Sequence, residues 1–119
     1  MTLKDVMELL DAKILTCEDK LNVEATKACA SDLMSDILSF TEPGSILLTG
    51  LANLQTIYTA EMADIICVCF VRGKKPDKRI IDLAKSKNLP LMTTELTMLE
   101  GCGRLYMKGF CGSFSNGKK

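Results

Sequence analysis

Asp64-Ile65-Ile66-Cys67-Val68-Cys69-Phe70-Val71-Arg72-Gly73 is the stretch on which the fold turns. Seven apolar residues run from Ile65 to Val71 without a polar interruption. The run is too short for a typical helix and rich in β-branched residues, and it does not alternate with polar residues. Such a run reads as a β-strand buried on both faces. A strand of that kind needs cover above and below, which a parallel sheet between two layers of helices supplies.

The flanks repeat the pattern. Upstream, Pro43-Gly44 is a turn, and Ser45-Ile46-Leu47-Leu48-Thr49 is a second short apolar strand ending at Gly50. Asn53 can cap a helix that carries Leu54, Ile57, Tyr58 and Met62 inward. Downstream, Arg72-Gly73-Lys74-Lys75 is a loop. Pro76 suits the first turn of a helix, with Ile80, Ile81, Leu83 and Ala84 as its core face and Asn88 as its stop. Leu89 to Thr93 is a third strand, and a last helix runs from Glu95 to about Lys108.

Nearer the start, Thr2 can cap a helix bearing Leu3, Val6, Met7, Leu9 and Leu10. Lys13 to Thr16 reads as a strand and Cys17 to Asn22 as a polar loop. Residues 23–40 read either as one long helix or as a strand near Ala25 to Ala30 followed by a helix. The Ser31-Asp32 pair resembles an N-cap, and Leu33, Met34, Ile37 and Leu38 then form an apolar stripe, which favours the second reading. Strand and helix alternate with short links, as in right-handed βαβ units. The expectation is an α/β fold: a single compact three-layer domain over residues 1–111 with a mostly parallel sheet flanked by helices. Residues 112–119 are small and polar and read as a flexible tail.

Composition narrows the function. The chain has 119 residues, 47% hydrophobic and 25% charged, enough for a core but not for two domains. Fifteen basic residues balance fifteen acidic ones, whereas nucleic-acid binding calls for a basic surplus, so no nucleic-acid partner is expected. The sequence shows neither a secretory leader nor a run of about 18 apolar residues that could span a membrane. A cytoplasmic location is therefore expected, with the six cysteines reduced. Histidine is absent, which removes the commonest general base and metal ligand and any Cys-His or Ser-His nucleophile pair. No segment matches Gly-x-x-x-x-Gly-Lys-Ser/Thr, the loop that cradles phosphates in P-loop kinases. The expectation is a protein that is not an enzyme.

The order and spacing of five segments resemble the DRTGG domain family, related to the N-terminal domain of HPr kinase/phosphorylase. They are Ser31-Asp32-Leu33-Met34-Ser35-Asp36-Ile37-Leu38; Ile46-Leu47-Leu48-Thr49-Gly50 with Asn53; Ile65 to Phe70 with Pro76-Asp77; Pro90-Leu91-Met92-Thr93-Thr94; and Gly103-Arg104-Leu105-Tyr106. The resemblance implies an α/β domain like the N-terminal domain of HPr kinase, often dimeric, and a regulatory role beside a catalytic domain. Some relatives sit near CBS domains that bind adenine nucleotides. Stand-alone members resemble small proteins of iron hydrogenase systems. The family's Asp-Arg after the strand-end glycine reads Leu51-Ala52 here, and its Thr-Gly-Gly after the next strand reads Val71-Arg72-Gly73.

In an open α/β sheet, ligands bind outside the carboxyl ends of the strands. Those ends carry Thr49, Gly50 and Asn53; Arg72, Gly73, Lys74 and Lys75; and Thr93 and Thr94. Glycine permits close backbone approach, helix starts near Asn53 and Pro76 offer N–H groups, and the basic run adds charge. A small anionic ligand, with a nucleotide as one candidate, is the expected occupant. The alternative is an accessory interaction module of a redox, iron hydrogenase-type system with no small ligand. A homodimer is expected, and no cofactor. Cys67 and Cys69 share one strand face and read as core. With no Cys-x-x-Cys spacing, none of the cysteines, Cys102 and Cys111 included, is assigned to a metal. Asp32 and Asp36 read as helix cap and dipole partner, not an acid–base pair.

Overall fold

The computed structural model describes residues 1–112. In chain order its elements are α1 (Leu3–Leu9), β1 (Lys13–Thr16), β2 (Lys27–Ala30), α2 (Met34–Phe40), β3 (Ile46–Thr49), α3 (Leu54–Met62), β4 (Cys67–Phe70), α4 (Lys78–Ser86), β5 (Leu91–Thr93), α5 (Met98–Met107) and β6 (Cys111–Gly112). The polar stretch expected as a loop after β1 holds one turn of 3-10 helix, Glu18–Lys20.

One sheet runs in the order β1-β5-β4-β3-β2-β6. Neighbours are parallel except β1, which lies antiparallel on the β5 edge. Steps β2 to β3, β3 to β4 and β4 to β5 each move one strand the same way. Right-handed crossovers therefore put α2, α3 and α4 on one face. The return from β5 through α5 to β6 crosses the sheet in the opposite sense, which puts α5 on the other face beside α1. Two apolar layers result. Ile37, Ile57, Ala60, Ile80 and Ala84 pack on Leu47, Val68, Phe70 and Leu91. Leu3, Val6, Leu10 and Leu105 pack on Ile46, Leu48, Cys67, Cys69 and Met92. Every residue of β4 is fully buried, as a strand covered from both sides must be. Each large aliphatic side chain sealed this way contributes about 1.5–3 kcal/mol. The expected α/β architecture, three layers around a mostly parallel sheet, is present.

The register levels the strand ends. Thr49 pairs with Phe70, and Phe70 with Thr93. Ala30 pairs with Leu48, and the N–H of Ser31 donates to Leu48 O at 3.1 Å. The first residues after β2 are thus carried up against the end of β3.

Four details differ from the sequence reading. First, α2 starts at Met34, and its cap residue Leu33 offers no side-chain bond. Ser31 closes a local turn by accepting from the N–H of Leu33 at 3.0 Å, and Asp32 turns toward β3. Of the expected stripe only Ile37 is buried, with Leu33 56% and Leu38 44% exposed. A seven-residue helix at the end of its layer, beside α3, has little surface to cover. Second, Asn53 caps α3 as expected, accepting from Thr56 N at 2.9 Å. However, Tyr58 and Met62 point outward at 47% and 70% exposure, while Thr56, Ile57, Thr59 and Ala60 face inward. Burial of two threonines is tolerated because their hydroxyls are bonded, Thr56 Oγ1 donating to Leu51 O at 2.6 Å and Thr59 Oγ1 accepting from Gln55 Nε2 at 3.5 Å. Third, Pro76 lies before the first turn of α4. Asp77 is the cap, accepting from Ile80 N at 3.2 Å, and Asn88 ends the helix with a positive φ of 55°. Fourth, α5 begins at Met98, because Thr97 and Glu100 form a reciprocal capping box. Gly112, assigned to the tail, pairs with Ala28 in β6. The rest of the expected flexible tail, 113–119, lies outside the described residues.

The inward phase of α3 gives a direct expectation. Ile57→Ala should cost about 2–5 kcal/mol in urea unfolding, as a buried aliphatic truncation does. Met62→Ala should stay within about 0.5 kcal/mol of the parent, as an exposed substitution does.

Candidate functional site

Thr49 ends β3 and is fully buried, and Gly50 follows it directly. Because β2 is in register beside β3, the chain leaving β2 delivers Asp32 to this point. Asp32 Oδ1 accepts from Thr49 Oγ1 at 2.8 Å and from the N–H of Gly50 at 2.7 Å. Thr49 Oγ1 in turn accepts from the N–H of Leu51 at 3.2 Å. The Gly50 N–H is the main reason that the Asp32 carboxyl titrates below its ordinary range. Partial burial, the next-largest influence, pushes it up, and the Thr49 hydroxyl and the charge of Arg72 lower it further.

Arg72 enters from the end of β4. The N–H of Val71 donates to Thr49 O at 3.0 Å, and the N–H groups of Arg72 and Gly73 donate to Leu96 O and Thr94 O, both at 2.8 Å. These bonds hold two consecutive residues in the left-handed region, Arg72 at φ 57° and Gly73 at φ 68°. For an arginine that conformation is strained. Its consequence is placement: the guanidinium lies across Gly50. A Cβ at position 50 would stand 2.8 Å from Arg72 Nη2 and 3.6 Å from Asp32 Oδ2, so the approach depends on glycine. Among the described residues the Arg72 guanidinium makes no hydrogen bond, and Asp32 lies beyond the 4.0 Å of an ion pair.

The nine residues expected at the strand ends fall into two groups. Thr49, Gly50, Asn53 and Arg72 gather at the ends of β3 and β4. The Asn53 carbonyl oxygen is already engaged, accepting from both the N–H and the hydroxyl of Thr56. Gly73, Lys74, Lys75, Thr93 and Thr94 lie on the β5 side. There Thr93 Oγ1 donates to Lys74 O at 2.7 Å and Thr94 Oγ1 to Leu10 O at 2.6 Å. These hydroxyls tie the loop and the end of α1 to the sheet. Lys74 and Lys75 are exposed. A cavity of about 80 Å³ is lined by Asp11, Lys13, Lys75, Thr93, Thr94 and Glu95. Glu95 also covers Gly73, where a Cβ would meet its Oε1 at 2.7 Å. The β5 side is thus of mixed charge, not uniformly basic. A roomier cavity, about 370 Å³, lies along β2 between Cys29, Ser31, Asp36, Ile37, Phe40 and Thr41.

Sequence reasoning missed Asp32 and Glu95. Asp32 carried a signal, an acidic residue just after a strand, but a cap explained it equally well. Only the register of β2 on β3 separates the two. Cys67 and Cys69 are wholly buried core residues, and burial pushes the Cys69 thiol up to about 12. Such thiols are poor nucleophiles and ligands. Among the described residues no group of three or more Cys, Asp or Glu side chains is arranged to hold a metal ion, and no helix is long and apolar enough to cross a membrane.

The sequence profile of the DRTGG domain matches residues 5–104. The chain belongs to the DRTGG domain family. No curated protein matches it in sequence. Among solved structures it is similar to the CBS and DRTGG domains of the regulatory region of Clostridium perfringens pyrophosphatase, crystallised with the activator diadenosine tetraphosphate. The TM-score is 0.73 at 19% sequence identity, over 87% of this chain and 45% of that one. At that identity the likeness establishes the fold, and this DRTGG domain spans under half of the matched chain.

The Asp32 contacts make a pH prediction. A carboxyl held below the ordinary 3.8 stabilises the fold above that pH, and the contribution is lost as pH falls through the lowered value. In an NMR titration the Gly50 amide proton should shift with a midpoint below pH 3.8, and Asp32→Asn should abolish the step. A midpoint at or above 3.8 would contradict the hydrogen bond.

Proposed function

We propose that this DRTGG domain is a non-catalytic regulatory module that binds a small anionic ligand, a nucleotide being the best candidate, at the carboxyl ends of β3 and β4. One observation carries the reading. The Arg72 guanidinium is held by a strained backbone over Gly50, with its donors uncommitted among the described residues. Strain that persists at a surface position points to function, and a guanidinium offers a fixed fork of donors to the oxygens of a ligand. Lys74 and Lys75 continue the same loop, and α3 presents its first turn beside Gly50. The structural neighbour belongs to a regulatory region and was crystallised with a dinucleotide activator, which supports the ligand class. A non-catalytic role fits a chain without histidine or a P-loop. Titration with AMP, ADP, ATP and diadenosine tetraphosphate should raise the melting temperature with at least one of them. Arg72→Ala should weaken that ligand about tenfold or more, the worth of one charge-assisted hydrogen bond. If Arg72→Ala combined with Lys74→Ala leaves every shift unchanged, the site is misplaced.

A second reading rests on α5. Leu99, Tyr106 and Met107 are 82%, 78% and 86% exposed, with Gly103 open beside them. Apolar side chains in this setting suit contact with another protein, either a second copy of the chain in a homodimer or a redox enzyme of the iron hydrogenase type. Both readings place the protein in the cytoplasm. Light scattering distinguishes the two partners: a dimer that becomes monomeric in Leu99→Lys/Tyr106→Lys supports self-association. A wild-type monomer leaves the face to a different protein.

A further inference from the structure

The proposed ligand site contains a charge that an anion does not want. Asp32 Oδ2 and Arg72 Nη2 flank Gly50 from two sides, 3.6 and 2.8 Å from where its Cβ would be. They are still too far apart for an ion pair within 4.0 Å. Oδ1 of Asp32 is occupied by Thr49 and Gly50, whereas Oδ2 accepts no hydrogen bond among the described residues. The outer edge of the site therefore offers an acceptor and a set of donors side by side, separated by more than one contact distance. We propose that this pair recognises the vicinal hydroxyls of a ribose, so that the ligand is a nucleoside phosphate held here by its sugar and not by its phosphates. The inference rests on the strand-end reading above.

The argument is one of matching donors and acceptors. A hydroxyl donates one hydrogen bond and accepts others. One hydroxyl can donate to Asp32 Oδ2, and its neighbour can accept from Arg72. With O–H···O and N–H···O distances near 2.8–3.0 Å, a diol spans a gap that a direct ion pair leaves open. A phosphate group is an acceptor only. Placed against Arg72 it would face the Asp32 carboxylate as well, and like charges at such range cost energy instead of releasing it. An acidic side chain near a strand end bonding a ribose hydroxyl is a recurrent solution in dinucleotide-binding sheets. The phosphates are then left to the exposed Lys74 and Lys75, two and three residues beyond Arg72 on the same loop.

Calorimetric titration with ATP, 2′,3′-dideoxy-ATP and tripolyphosphate tests the assignment, using the wild type and Asp32→Asn. Wild type should bind ATP about tenfold or more tighter than either of the other two. Asp32→Asn should weaken ATP and strengthen tripolyphosphate. Opposite signs on two ligands are not a result that a damaged fold produces, and the dideoxy comparison needs no variant. Equal binding of ATP and dideoxy-ATP by the wild type would overturn the ribose assignment and leave the strand-end site standing. So would tripolyphosphate binding as tightly as ATP. If neither the wild type nor Asp32→Asn binds any of the three ligands, the strand-end reading fails and this inference with it.

Discussion

A strand that must be hidden on both sides constrains everything else in this domain. From Ile65 to Val71 there is no polar side chain to offer to water, and the four residues of β4 are fully buried. Helices have to lie on both faces, and the chain has to visit both. Stepping regularly from β2 to β5 puts three helices on one side. The single long return to β6 puts α5 on the other, where α1 joins it. The in-step register of the parallel strands then lines up their carboxyl ends at one rim. The position of the candidate site follows from core burial before any ligand is considered.

At that rim the polar groups are divided between architecture and display. Thr93 and Thr94 bond backbone carbonyls of the adjoining loop and of α1. Asn53 serves as helix cap. Thr49 and the Gly50 N–H hold Asp32, which keeps that carboxyl ionised and fixes its direction. The paired left-handed residues Arg72 and Gly73 are pinned by the β5–α5 connection and set a guanidinium over the glycine. Among the described residues, the rim groups without a hydrogen bond include one Asp32 carboxylate oxygen and the Arg72 guanidinium, with the exposed lysines further along the loop.

Much of the architecture was legible in the chain because it depends on local patterns. Apolar runs of strand length, caps such as Asn53 and the stop at Asn88 are short-range signals, and they agree with the elements found. The errors share a cause. Hydropathy placed Tyr58 and Met62 inside α3, but the helix buries Thr56 and Thr59 because their hydroxyls find partners. A cap-like sequence assigned Asp32 to α2, but its neighbour across the sheet offered a better pair of donors. In the site, the strand-end residues were visible as glycines, threonines and basic residues after apolar runs. Which of their side chains are spent on internal bonds was not visible.

By itself, the sequence determined the α/β class, the alternation of strand and helix, and the rim at which polar residues collect. These rest on periodicity and on the cost of exposing apolar runs. Only the tertiary structure decided that Asp32 faces Gly50, that the Arg72 guanidinium lies across it without a hydrogen bond among the described residues, and that Glu95 covers Gly73. The reason is physical: hydrogen bonds between residues 17 or more positions apart depend on strand register and backbone conformation, and no local pattern in the chain encodes them.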